Sequence, residues 1–143
     1  MQTEDLCKLV DKIQHLHCEM QTIELKAANK GCPTRLYDTL SSFANQDEGG
    51  ILLFGIDESK DFAVVGVYDA QDLQKKVTEQ CNQMAPVVRA LFTVAEIEGK
   101  IVVAAEIPGF DVAERPCFYR GTGRLRGAYI RVGDANEPMS EYE

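Results

Sequence analysis

The apolar positions in the first 45 residues follow helical spacing, then strand spacing, then helical spacing again. Apolar side chains recur every three or four positions between residues 4 and 17, which predicts an amphipathic helix. Residues 21–27 alternate polar and apolar side chains, the pattern of a half-buried strand. Pro33 suits the first turn of a second helix, whose apolar stripe extends to Ala44.

The remaining elements are arranged around residues 41–57, SSFANQDEGGILLFGID. A helix end passes through an acidic turn into Gly49 and Gly50, and the apolar run 51–54 follows. Paired glycines let the backbone take a positive φ and approach a neighbour closely. Because the run is apolar at consecutive positions, we expect both faces of this strand to be buried, as in a central strand.

The pattern after the central strand predicts another strand and a third helix. Residues 63–67 are rich in β-branched side chains and predict a strand that forms a hairpin with the central one. Asp69 is placed to cap a helix that extends to about Met84, where Pro86 stops it.

The C-terminal half predicts more strands. Residues 92–98 and 100–107 read as a hairpin, and a Gly- and Arg-rich loop over 116–127 leads to a last strand at 128–132. Residues 137–143 read as a polar tail with no terminating element.

The predicted order, roughly αβαββαβββ, indicates an α+β (mixed α/β) fold. We expect a single domain over residues 1–143, with a mixed sheet flanked by helices. The polar tail suits a piece cut from a longer protein, although many complete chains also end this way.

Composition narrows the class of protein. No apolar run approaches the roughly 18 residues that span a bilayer, and the N-terminus is acidic where a signal peptide would be basic. The five cysteines are odd in number and form no CxxC pair, which is typical of reduced thiols inside the cell. We therefore predict a cytoplasmic protein with no membrane partner.

Charge is unevenly distributed along the chain. The formal net charge is −8, which argues against a surface that attracts nucleic acid everywhere. Residues 115–133 contain five arginines and no acidic residue, so the remainder carries −13. With Phe118, Tyr119 and Tyr129 between them, these arginines either contact phosphates and stack bases or balance an acidic body as solvated charges. The arginines are Arg115, Arg120, Arg124, Arg126 and Arg131.

Carboxylates form a second candidate site. Glu19 and Glu24 bracket the entry to the first strand, Lys26 shares a strand face with Glu24, and Asp57 follows the central strand. Carboxylates held close together bind Mg²⁺ or Mn²⁺, which activates water and stabilises charge on a phosphodiester. The alternative is that Glu24 and Lys26 are charges at a sheet edge and Asp57 begins a turn.

Nucleotide-binding motifs are weak. The chain has no GxxxxGK[ST] sequence, and residues 121–127 have one residue too many for GxGxxG. Gly49 and Gly50 are left as a phosphate-contacting loop that could cradle ATP through backbone N–H groups.

Several of these motifs together resemble the Schlafen/AlbA-like domain. Residues 19–26, EMQTIELK, resemble its E-x4-E-x-K opening. Residues 40–57 are similar to its "saFaN…GG.llfGvd" core, and residues 116–133 are similar to its closing "P.y…yiR.G" segment. The resemblance covers about residues 15–135, with the motifs in the expected order.

This resemblance implies a mixed α/β, DNA-binding domain. Such domains commonly head transcriptional-regulator-like proteins or divergent AAA-type ATPases, with an ATPase-like or winged-helix region downstream. In some animal Schlafen proteins the equivalent domain is an endoribonuclease with three acidic residues. The first two correspond to Glu19 and Glu24, and Asp57 is the best candidate for the third.

Our first functional hypothesis is therefore a nucleic-acid-binding, regulator-type domain in which Lys26 and the five arginines contact phosphates. A nuclease that holds Mg²⁺ or Mn²⁺ on Glu19, Glu24 and Asp57 is the alternative. An ATP-binding module built on the glycine pair is the third. The choice between DNA and RNA and the presence of a homo-oligomer stay open.

Overall fold

A four-stranded mixed sheet forms the centre of the fold. The computed structural model describes residues 1–17 and 20–140. In chain order, the helices and strands are α1 (Thr3–Leu16), β1 (Ile23–Lys26), α2 (Tyr37–Ala44), β2 (Gly50–Phe54), β3 (Ile56–Asp57), β4 (Ala63–Val64), α3 (Ala70–Cys81), β5 (Met84–Ala85), β6 (Leu91–Ile97), β7 (Lys100–Ile107), β8 (Phe118–Tyr119), α4 (Arg124–Gly127), β9 (Tyr129–Val132) and β10 (Ala135–Pro138).

The order of strands in the central sheet is β1-β2-β7-β6. Strand β2 pairs in parallel with β1 and antiparallel with β7, which in turn pairs antiparallel with β6. Leu52, Leu53 and Phe54 are fully buried, as predicted for a central strand covered on both faces. The α+β class and the mixed sheet flanked by helices are confirmed.

Helix α1 covers one face of the sheet. Its Leu6, Val10 and Ile13 lie on one side of the helix and are buried in a cluster with Leu25 and Leu53. The alternation predicted for β1 places Leu25 on this face and leaves Glu24 on the opposite one.

Helices α2 and α3 cover the other face. Leu40 and Phe43 of α2 and Leu73 and Val77 of α3 are fully buried in a larger cluster that includes Phe54. Each such side chain contributes about 1.5–3 kcal/mol when it leaves water, so this cluster is the main source of stability on this face. The predicted cap of α3 is confirmed, because a carboxylate oxygen of Asp69 accepts the Asp72 N–H at 2.9 Å.

The predicted start of the second helix is wrong. Helix α2 begins at Tyr37, four residues after Pro33. The reason is a buried amide on α3: Gln80 Oε1 accepts the Leu36 N–H at 2.8 Å, and Gln80 Nε2 donates to Pro33 O at 2.7 Å. The residues before α2 therefore find their hydrogen bonds outside a helix.

The predicted pairing of residues 63–67 with the central strand is also wrong. Strand β4 pairs with β3, whereas the neighbours of β2 are β1 and β7. Gly55, with φ of +107°, separates β2 from β3 and redirects the chain out of the central sheet.

The C-terminal segment contains more structure than predicted. A short helix, α4, interrupts the predicted loop, and β9 pairs antiparallel with β10. Strand β10 takes in the beginning of the predicted tail, so the expectation of no terminating element is wrong for residues 137 and 138. Among residues 1–17 and 20–140, every helix is too short or too polar to span a bilayer.

Candidate nucleic-acid interface

Arg131 is a buried residue that ties β9 to the outer edge of β1. Its side chain is fully shielded from solvent. Its Nη1 donates to Glu24 Oε1 and to Asn136 Oδ1, both at 2.9 Å, and its Nη2 donates to Ile23 O at 3.0 Å and Met20 O at 3.4 Å. The guanidinium thus satisfies the outward-facing Ile23 carbonyl of β1 and the Met20 carbonyl just before it.

The surroundings of Arg131 complete a polar cluster beneath α2. Its guanidinium carbon lies 5.0 Å from the centroid of the Phe43 ring, a cation–π contact. Lys26 Nζ lies 3.2 Å from Glu24 Oε2, so the Glu24 carboxylate is held between two cations. Lys26 is one-third exposed and keeps a face towards solvent. The cluster therefore brings together Glu24, Lys26 and Arg131 of the predicted site residues.

The predicted carboxylates have different partners. Asp57 Oδ1 accepts hydrogen bonds from Ser59 N at 2.9 Å and Ser59 Oγ at 2.6 Å, and the hydroxyl bond is the main reason that the pKa of Asp57 is lowered. Glu24 bonds Arg131 and Lys26 instead. Glu19 lies outside the described residues.

A metal site formed by Glu19, Glu24 and Asp57 stays a prediction, because the first of these carboxylates is not among the described positions. Within the described ranges, 1–17 and 20–140, no three His, Cys, Asp or Glu side chains are grouped as metal ligands would be.

The glycine pair packs closely against its neighbours. Gly49 has φ of +65°, and a Cβ there would overlap Ile107 O, while a Cβ at Gly50 would overlap the Phe43 ring. The Gly49 N–H donates to Gln46 O at 3.2 Å, inside the turn. Both glycines are buried, so their observed role is close packing, and their role in phosphate binding stays a prediction.

Three of the predicted arginines are exposed: Arg120, Arg124 and Arg126. Arg120 Nη2 donates to Asn82 O at 3.0 Å. Arg124 and Arg126 belong to α4 and flank Leu125, which is 89% exposed. None of the three forms an ion pair with a carboxylate in the described part of the chain. We call residues 120–126 the arginine turn.

Arg115 differs from these three. Its Nη2 lies 2.6 Å from Asp47 Oδ1, and its Nε donates to Phe110 O at 2.8 Å, so it links two loops. Arg115 and Arg124 both line a pocket of about 310 Å³ that reaches Asn45. The structure thus divides the five arginines into one buried, one paired with Asp47 and three in the exposed arginine turn.

Sequence reasoning missed the polar residues that hold these elements in place. Asn136 Nδ2 donates to Thr39 Oγ1 at 2.9 Å, which connects β10 to α2. Asn45 Nδ2 donates to Tyr129 O at 3.0 Å, and Asn45 Oδ1 accepts the Cys117 N–H at 2.7 Å. Asn45 stood within the quoted core motif, whereas no local pattern distinguishes Asn136 from other polar residues.

The family assignment rests on a match across most of the chain. The Schlafen, AlbA_2 family profile matches residues 19–140. The chain belongs to this family. The match begins at Glu19, where the E-x4-E-x-K motif begins, and ends beyond β10. No curated protein matches the chain significantly.

Solved structures of two other proteins have the same fold. This Schlafen AlbA_2 domain is similar to the N-terminal domain of a RecG-related protein from Nitrosomonas europaea, with 27% identity and a TM-score of 0.68. That alignment covers 93% of this chain and 92% of the other. The DIP2311 protein from Corynebacterium diphtheriae has the same fold at 18% identity and a TM-score of 0.59. The alignment covers 95% of this chain and 26% of the DIP2311 chain.

Proposed function

We propose that this domain binds nucleic acid through the arginine turn. The observation that carries the proposal is the exposure of Arg120, Arg124 and Arg126 without a carboxylate partner among the described residues. A guanidinium offers a planar fork of donors that matches two phosphate oxygens, so three on one turn form a phosphate-binding surface.

The charge distribution supports an oriented mode of binding. The chain carries −8 overall, and its longest stretch without acidic residues is 115–133. Repulsion from the acidic remainder would turn this segment towards a polyanion and keep other faces away. Lys26 and Arg115 already pair with carboxylates and Arg131 is buried, so the proposal assigns direct phosphate contact to the arginine turn.

The similar Nitrosomonas europaea domain supports this proposal. The full name of the Nitrosomonas europaea protein refers to a DNA helicase, and its N-terminal domain aligns with nearly the whole of this chain. We accordingly propose that this domain contacts nucleic acid as part of a larger protein, such as a regulator-type protein.

A salt titration of binding tests the proposal. We expect the double variant Arg124→Ala/Arg126→Ala to bind a labelled DNA duplex more weakly in fluorescence polarisation. Since two phosphate contacts are lost, the negative slope of log K against log salt should become shallower by about 1.8. Both side chains lie on the surface without a described hydrogen-bond partner, so the fold should be retained.

The matched control is Lys8→Ala/Lys12→Ala, which removes the same charge from exposed positions on α1. Helix α1 covers the opposite face of the sheet from α2. This variant should keep the wild-type slope. The proposal is overturned if the wild-type domain binds neither the duplex nor a single strand at about 50 mM salt, or if the slope changes equally in both double variants.

A further inference from the structure

Two tyrosines stack face to face in a pocket beside the arginine turn. The ring centroids of Tyr37 and Tyr119 are 3.8 Å apart, and their planes differ by 16°. Both rings line a pocket of about 490 Å³, together with Cys32, Lys76 and Gln83. This volume lies within the range of small-molecule sites, and the pocket combines aromatic surface with polar groups.

The pocket is built from elements held in place by buried contacts. Gln80 of α3 is buried and binds Pro33 O and the Leu36 N–H, which positions the start of α2 and therefore Tyr37. Tyr119 lies on β8, where it pairs with the fully buried Met84 of β5. The two rings are thus fixed without a ligand, which lowers the ordering cost of binding.

The arginine turn begins at the rim of this pocket. The Arg120 N–H donates to Gln83 O at 3.0 Å, and its guanidinium donates to the neighbouring Asn82 O. A Cβ at Gly121 would overlap the Tyr119 ring, so the turn lies directly against the aromatic pair. An exposed cation, a stacked aromatic surface and the Gln83 amide therefore occur side by side.

We infer that the pocket takes an unpaired nucleobase of a single strand whose phosphates lie on the arginine turn. This inference rests on the proposed function and specifies its ligand. The aromatic surface offers stacking to a planar base, and the Gln83 amide offers a donor and an acceptor to its edge. A paired base inside a duplex is stacked on both sides and cannot enter, so single-stranded nucleic acid is selected.

The first test compares a single-stranded oligonucleotide with an abasic strand of the same length and charge. We expect wild-type domain to bind the strand with bases about tenfold more tightly in fluorescence polarisation, the value of one stacked base. Tyr37→Leu should lose this preference, whereas Tyr37→Phe, which keeps the ring, should keep most of it. Circular dichroism checks that both variants are folded.

A second measurement uses the wild-type protein and needs no variant. Cys32 lines the pocket and is half-buried, whereas Cys7 is exposed on α1. Burial raises the pKa of Cys32, so alkylation is followed by peptide mass spectrometry at alkaline pH. The strand with bases should slow alkylation of Cys32 more than the abasic strand does, while Cys7 should react equally in both.

The outcomes separate this inference from the proposed function. If the strand with bases and the abasic strand bind equally and protect Cys32 equally, the inference is overturned, although arginine-dependent binding would persist. If no nucleic acid binds, the proposed function fails as well. If adenosine monophosphate alone protects Cys32 more strongly than the strand does, the pocket belongs to a free nucleotide and the strand assignment is wrong.

Discussion

Asn45 joins the end of α2 to the C-terminal segment through a single buried amide. It donates to Tyr129 O and accepts the Cys117 N–H, with little exposure to solvent. Ser41, one helical turn earlier, bonds the same segment, since its Oγ donates to Cys117 O at 2.7 Å and accepts the Tyr129 N–H at 2.8 Å. Two adjacent polar side chains thus position the strands on either side of the arginine turn.

Removal of this amide should be costly. Asn45→Ala removes the acceptor of the Cys117 N–H and a donor to Tyr129 O. Each buried polar group left without a partner costs about 1–3 kcal/mol. We expect the free energy of unfolding, measured by urea denaturation, to fall by about 3 kcal/mol. The exposed Asn29→Ala should change it by less than about 0.5 kcal/mol. Similar losses in both variants would contradict this account.

For single residues, the sequence identifies candidate side chains more reliably than it predicts whether those side chains are buried or exposed. The five arginines were grouped because they share a segment without acidic residues. Arg131 is one of them, yet it lies in the interior because the Glu24 carboxylate and the Ile23 carbonyl of β1 accept its hydrogen bonds. Those partners are more than a hundred positions away in the chain, so no local pattern separates Arg131 from Arg124.

Among the elements, the turn into β2 depends on backbone that only glycine permits. Gly49 has a positive φ and lies directly against Ile107 O of β7. Gly50 then starts β2 beneath the Phe43 ring of α2. The helix, the turn and two strands of the sheet therefore meet where no side chain fits.

A pair of glycine substitutions separates backbone strain from steric overlap. Gly49→Ala and Gly99→Ala both place alanine at a positive φ, but a Cβ at Gly99 meets nothing within 4 Å. We expect Gly99→Ala to lower the free energy of unfolding by about 1 kcal/mol through strain alone. Gly49→Ala should cost about 3 kcal/mol or more, because it also forces β7 to move. Equal losses in thermal or urea unfolding would show that the close approach is unimportant.

Elements with a sustained period could be predicted, whereas most of the two-residue strands could not. Helix α1, strand β2 and the capped α3 have several apolar positions each, so their patterns indicate both type and place. Strands β3, β4, β5 and β8 have two residues each, too few to show alternation. Strands β5 and β8 depend on distant partners, as in the pairing of Met84 with Tyr119, which also forms a wall of the pocket. Strand β4 pairs with the nearby β3 and lies within the strand predicted at 63–67.

Across the whole molecule, the larger apolar cluster joins helices, strands and the C-terminal segment. It includes Cys81 at the end of α3 and Cys117 just before β8, both almost fully shielded. Burial raises the pKa of each thiol to about 12. The native state therefore keeps both protonated at pH values where an unfolded chain would ionise them.

Alkaline pH should consequently destabilise the fold. The unfolded pKa of a thiol is about 8.5, so the contribution of these two groups is complete below that pH and is lost as pH rises towards about 12. We expect Cys81→Ala/Cys117→Ala to flatten the fall in the free energy of unfolding across this range. The exposed Cys7→Ser should leave the pH dependence unchanged. A wild-type slope in the double variant would exclude these thiols as its source.

The contact of Arg131 with β1 has a consequence for synthesis of the chain. Strand β1 leaves the ribosome before β9 does, so the Ile23 carbonyl lacks its Arg131 donor until a residue more than a hundred positions later has emerged. During that interval the growing chain presents an uncapped strand that could pair with another copy. Translation that stops before β9 would leave this edge exposed, and such fragments should aggregate through it.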